Sequence, residues 1–258
     1  MIQVFKIGGH VLDDGAMLEK FCEDFASLPG PKVLVHGGGE KAGRLQKALG
    51  IDPVRIEGRR VTDAATLEAV TMACAGWCNK QIVSLLQKHG CDAIGLSGCD
   101  ANIICAARRK PKTLSDGVTV VDFGLVGDVL PESVDIVKLK SLIDLGLTPV
   151  ICPINHDGAG QLLNTNADTV ASCVAAALGA ELTFCFEIGG VLGDVGNPDS
   201  VIPRLDKAGY EALKSSGAIS GGMIPKLDNA FAALACGVPA VRIKGADRLG
   251  EQSGTLVC

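Results

Sequence analysis

Two lysines sit where lysines are uncommon. Lys6 interrupts the apolar run "VFKIGG", and Lys226 follows paired glycines in "GGMIPKLDNA". Between them lie three consecutive glycines in "VHGGGE" (Gly37 to Gly39), an arginine pair in "EGRRVTD" (Arg59 and Arg60), and Asn164, Asn166 and Asp168 in "LLNTNADT". Glycine loops let backbone N–H groups approach an anion closely, because no Cβ intervenes. Ammonium groups offset charge on a transferring phosphoryl group, and guanidinium groups fork onto carboxylates. The set suits a highly anionic reaction centre, and phosphoryl transfer is chemistry that needs it.

Each piece has a plainer reading. The glycine run could be a tight turn with no ligand, a strand-end lysine could be solvated, and Asn166 or Asp168 could simply cap a helix. Gly37, Gly39 and Ala42 also satisfy the loose dinucleotide fingerprint GxGxxG/A, with Glu57 about 20 residues on, where a ribose-binding acid belongs. That match is poor, since Glu57 lies in a charged turn and not at the end of an apolar strand. The more specific phosphate-loop pattern GxxxxGK[ST] is absent from the chain.

The elements that must position these residues alternate. Ile2–Ile7, Lys32–His36, "CDAIGL", "LTPVICPI", "AELTFCFEI" and "VPAVRI" read as strands. Helical patterns intervene: one capped by Asp13 or Asp14, then Glu40–Leu49, Thr62 to about His89, Asn166–Leu178 and Ser220–Cys236. "VTVVDFGLVGDVL" has hairpin character. Such alternation predicts an α/β chain with a mostly parallel sheet and helices on both faces, so the two glycine loops share one sheet edge. The expected division falls near Leu178–Ala180.

Composition removes several classes. Aromatic residues are 3% of the 258, too few to stack exposed bases, and the net charge of −5 opposes nucleic-acid or anionic-membrane partners. No apolar run reaches the roughly 20 residues that cross a bilayer, and "MIQVFKIGGH" lacks signal-peptide character. The eleven cysteines show no CxxC pair and read as free thiols of a cytoplasmic protein. No metal cluster is expected.

Together, "KIGG", "VHGGGE", "GRRVTD", "LLNTNADT" and "GGMIPKLDNA" resemble the amino acid kinase family and, within it, the acetylglutamate kinases. The resemblance runs over nearly the whole chain in the same order. It implies a three-layer αβα sandwich of two lobes, residues 1–178 binding an acylglutamate and residues 179–258 binding ATP. The implied reaction moves the ATP γ-phosphoryl group onto the substrate γ-carboxylate on the route to arginine, with Mg²⁺ held mainly by phosphate oxygens. Catalytic roles carry over to Lys6, Lys226 and Asp168, with Asp168 holding both lysines by ion pairing. Gly38, Gly39, Arg60 and Asn164 would bind the acyl amino acid; Gly8, Gly9, Glu187, Gly190 and Gly222 would face the nucleotide. A small-molecule substrate and a homodimer are expected, since the chain begins at the first strand without the helix that links arginine-inhibited members into hexamers.

Two departures from the family pattern stand out. "CFEIGGVL" carries Phe186 and Glu187 where a small hydroxyl residue and Asp are usual, and Arg59 stands where members often have an apolar residue beside the acyl group. A guanidinium there would suit an acyl group with its own carboxylate, so N-succinyl-L-glutamate is the alternative substrate. A ligand sensor of the same fold is the alternative from outside enzymology.

Overall fold

Period-two alternation sorts each central strand's side chains to opposite faces of one sheet. Val4, Val33, Val35 and Phe184 join one apolar cluster, while Phe5, Leu34 and Cys185 join another with Phe21, Phe25, Ile82 and Leu86. Strands buried on both sides need helices on both sides, which the chain supplies between them. The computed structural model describes residues 2–194, 196–219, 222–251 and 253–258. Its eight-stranded sheet runs Arg204–Leu205, Thr255–Val257, Val241–Gly245, Glu181–Phe186, Gln3–Ile7, Lys32–His36, Thr148–Cys152, Ala93–Ser97. Every pairing is parallel except that of Val241–Gly245 with Thr255–Val257. The mostly parallel sheet expected from the alternation is thus observed.

Helix starts follow local chemistry. Asp14 Oδ1 accepts the N–H groups of Ala16 and Met17 and starts Gly15–Ser27. Asp63 Oδ1 accepts from Thr66 at 2.8 Å, and Asn166 Oδ1 accepts from Asp168 and Thr169, opening Ala167–Leu178. These are N-caps of the kind that satisfy orphaned helix donors. Gly179, at φ +60°, closes the last of these helices.

The long helix expected from Thr62 to His89 is interrupted. Ala64–Thr71 passes into a π-helical segment, Met72–Cys78, before Asn79–Lys88 resumes the α form. The last long helix begins at Met223, later than the expected Ser220; Ser220 and Gly221 lie outside the described residues. The sheet is continuous across the expected lobe division, because Gln3–Ile7 pairs directly with Glu181–Phe186.

Candidate active site

Register brings the glycine loops together. Ile7 lies beside His36 and Cys185 at the C-terminal edge of the sheet, and the Gly37 N–H donates to the Ile7 carbonyl at 3.3 Å. The loops then meet backbone to backbone. A Cβ on Gly9 would stand 2.7 Å from Gly39 Cα, and one on Gly38 would stand 2.4 Å from the Cys74 sulfur. Gly39 also has φ +57°, so this run needs glycine for contact and for conformation.

His36 sets the loop from behind. It is fully buried, its Nδ1 lies 2.7 Å from the Gly37 carbonyl, and its Nε2 lies 3.1 Å from Asn79 Nδ2. A carbonyl only accepts, so the proton sits on Nδ1 and Nε2 accepts from the amide. Burial pushes the His36 pKa down to about 4, opposed by the Gly37 hydrogen bond and reinforced by Lys6 and Lys80.

Lys6 falls on the same strand face as Val4, against the helix that carries Asp168 in its first turn. Its ammonium is 2.6 Å from Asp168 Oδ1, with both side chains largely buried. The other carboxylate oxygen, Oδ2, accepts from Asn229 Nδ2 at 2.7 Å. Two cavities lie beside this pair; Asp168 lines the second and Lys6 is not among the residues lining either. One, of about 330 Å³, is lined by Gly37–Gly39, Arg55, Arg59, Arg60, Arg109 and Asn164, and no acidic residue lines it among the described residues. The other, of about 270 Å³, is lined by Gly8, Gly9, Asp168, Glu187, Gly222 and Lys226. Asn229 lines both.

The sequence model of the amino acid kinase family matches residues 1–245. This chain belongs to the amino acid kinase family. Among similar curated proteins, an acetylglutamate kinase of Cytophaga hutchinsonii is 48% identical over 97% of this chain and 93% of its own length. One from Bacteroides thetaiotaomicron is 45% identical over 99% of this chain and 98% of its own. A solved Streptococcus mutans structure is 27% identical with a TM-score of 0.73, covering 99% of this chain and 98% of that one. A Giardia carbamate kinase, 15% identical with a TM-score of 0.66 and coverage of 100% and 98%, shares the fold.

In this amino acid kinase the expected site residues divide among the two cavities, with exceptions. Arg60 lines the cationic cavity and is held by the Gln46 carbonyl oxygen. Burial, then the neighbouring Arg55, pushes its pKa down, so an arriving carboxylate would be drawn to it. Asn164 Nδ2 donates to Thr62 Oγ1 at 3.1 Å. Gly190 is not among the residues lining either cavity; a Cβ there would strike Val201 and Thr255, which gives it a packing role. Glu57, the residue that fitted a dinucleotide site, accepts the Ser115 N–H in a hairpin turn at φ +47°.

Of the two lysines expected beside Asp168, the structure places Lys6 against it and Lys226 against Glu187. Lys226 lies 2.8 Å from Glu187 Oε1, and Asn229 bonds the second Asp168 oxygen. Asn229, Asp13, Gln46, Arg55 and Arg109 are the site residues that sequence reasoning missed. Only Asn229 left a usable trace, three residues after Lys226 and so on the same helix face. Asp13 sits beside the capping Asp14, yet its carboxylate turns to Arg44 at 2.7 Å.

Proposed function

We propose that this chain phosphorylates the γ-carboxylate of N-acetyl-L-glutamate with Mg-ATP, forming an acyl phosphate on the route to arginine. The observation that carries this is the Lys6–Asp168 pair beside two cavities that share Asn229, one cationic and free of acids among the described residues, the other holding Lys226. In this reading Arg60 clamps the α-carboxylate, Asn164 bonds the acylated backbone, and the Gly38–Gly39 loop faces the γ-carboxylate. One γ-carboxylate oxygen forms the new P–O bond as the bond to the bridging β-phosphate oxygen breaks, and ADP leaves with that electron pair. A carboxylate needs no general base, so Asp168 is left to position Lys6. The two ammonium groups offset charge on the equatorial phosphoryl oxygens.

Gly8, Gly9 and Gly222 would present backbone to the phosphates. Magnesium would enter with the nucleotide, bound mainly by phosphate oxygens. Residues 1–178 would supply the acyl-substrate lobe and 179–258 the nucleotide lobe. The exposed Met72 and Trp77 on the long helix support a homodimer joined through it. Eleven free thiols suit the cytoplasm.

Arg59 and Arg109 favour a second reading on the same mechanism. Both line the acyl-side cavity, and an N-succinyl group would bring them a third carboxylate. ADP release and hydroxamate trapping with N-acetyl- and N-succinyl-L-glutamate test both readings. Turnover of the acetyl compound supports the first, strong succinyl preference supports the second, and no turnover of either returns the chain to the sensor alternative.

A further inference from the structure

The two lysines are held differently. One Asp168 oxygen faces Lys6 at 2.6 Å and the other accepts from Asn229 at 2.7 Å. Asn229 stands one turn beyond Lys226 on the Met223–Ala235 helix, so this helix bonds Asp168 through Asn229 and not through Lys226. Lys226 turns instead to Glu187 at 2.8 Å, with its ammonium 4.3 Å from the Phe186 ring centroid. Phe186 and Glu187 are the consecutive residues at the sheet edge where a small hydroxyl residue and Asp were expected.

We propose that Glu187 is the positioning residue for Lys226, holding its ammonium over the Phe186 face at the nucleotide-side cavity, and that it does not bind the ribose. The proposal rests on the phosphoryl-transfer reading of the site. An ammonium has three donors, so one bond to Glu187 leaves two for phosphoryl oxygens. A lysine stem is long and flexible, and an aromatic face with a carboxylate beside it restricts where the charge can stand. The longer arm of Glu and the ring before it form a unit: Phe186 floors the ammonium while Glu187 reaches past the ring to bond it. Burial alone would push the Glu187 carboxyl up, yet it lies below its ordinary range, chiefly through the Lys226 hydrogen bond. A carboxylate already committed in this way is poorly placed to receive sugar hydroxyls.

The test is a double-mutant cycle on the full-length protein. Glu187→Gln should lower kcat about 10- to 100-fold while leaving KM for the acylglutamate within about twofold. The same change in a Lys226→Met background should add nothing, whereas in a Lys6→Met background its effect should persist. Glu187→Asp should recover part of the loss. Wild type and Glu187→Gln should discriminate equally between ATP and 2′-deoxy-ATP. A Glu187→Gln enzyme with unchanged kcat overturns the proposal, as does a raised KM for ATP that is additive with Lys226→Met and accompanied by lost ribose discrimination. Mg-ATP binding by calorimetry completes the cycle independently of turnover. If wild type turns over no acylglutamate, the reaction reading fails, and coupling between positions 187 and 226 in ATP affinity still decides the pairing, its absence overturning it.

Discussion

The Asp13 carboxylate accepts the Glu40 backbone N–H at 2.8 Å and so ties the end of the first glycine loop's short helix to the start of the second loop's helix. The same carboxylate meets Arg44 at 2.7 Å, and Gly39 passes so close that a Cβ there would lie 2.8 Å from it. One side chain thereby holds both anion-facing loops in mutual register.

Asp13→Ala should release that tie. The expected loss is about 1 kcal/mol of stability, the net worth of an exposed hydrogen bond, because the Glu40 N–H then turns to water. KM for the acylglutamate should rise and kcat should fall, and Asp13→Asn, which keeps an acceptor oxygen, should lie between. Thermal unfolding alongside steady-state kinetics measures both; an unaltered KM would remove Asp13 from the site.

Gly38→Ala should abolish turnover, since the added methyl would overlap the Cys74 sulfur at 2.4 Å. The remedy should be specific. Cys74→Ala removes that sulfur, and the double variant should regain both fold and a large part of its activity. A double variant no better than Gly38→Ala would mean that the loop backbone itself rejects a side chain.

Acid should destabilise the protein through His36. Its folded pKa of about 4 lies below the unfolded value of 6.5, so the unfolded chain binds the proton first as pH falls. The contribution of neutral His36 is complete above pH 6.5 and is lost between 6.5 and 4. Urea unfolding at pH 7.5 and 4.5 should show wild type losing roughly 2–3 kcal/mol more than His36→Gln. Equal losses would show that His36 does not titrate this way.

Arg60→Gln should raise KM for the acylglutamate about 10- to 100-fold with KM for ATP unchanged, the cost of a lost charge-assisted bond. Arg60→Lys should recover little, because an ammonium cannot fork onto a carboxylate. Gln46→Leu should produce a smaller rise in the same constant by freeing the guanidinium.

Much of this was legible in the residues. Strands such as Lys32–His36 announce themselves by a short apolar run buried on both faces, and Asp14, Asp63 and Asn166 act within three residues of themselves. Lys6 and Asp168 were legible as a pair through their motifs. What stayed hidden depends on distant chain segments meeting. Gln46 under Arg60, Asp13 against Glu40, and Arg109 in the acyl-side cavity have no local signature. The pairing of Lys226 with Glu187 was hidden in the same way: it joins a helix residue to a strand-end residue of another segment.

The π-helical segment makes the protein count residues. Its i→i+5 bonds accommodate one more residue than an α-helix of the same span, and the surplus sets the rotational phase of Asn79–Lys88 relative to Ala64–Thr71. Thr66 thereby reaches Gln46 from one half while Asn79 reaches His36 from the other. Deleting a single residue between 72 and 78 would let the helix run as uninterrupted α over the same span, with Asn79 still facing His36 and Ile82 and Leu86 still in their cluster. Deleting a second would turn everything beyond it by about 100° and swing Asn79 away from His36. The stretch should therefore tolerate the loss of one residue and not of two.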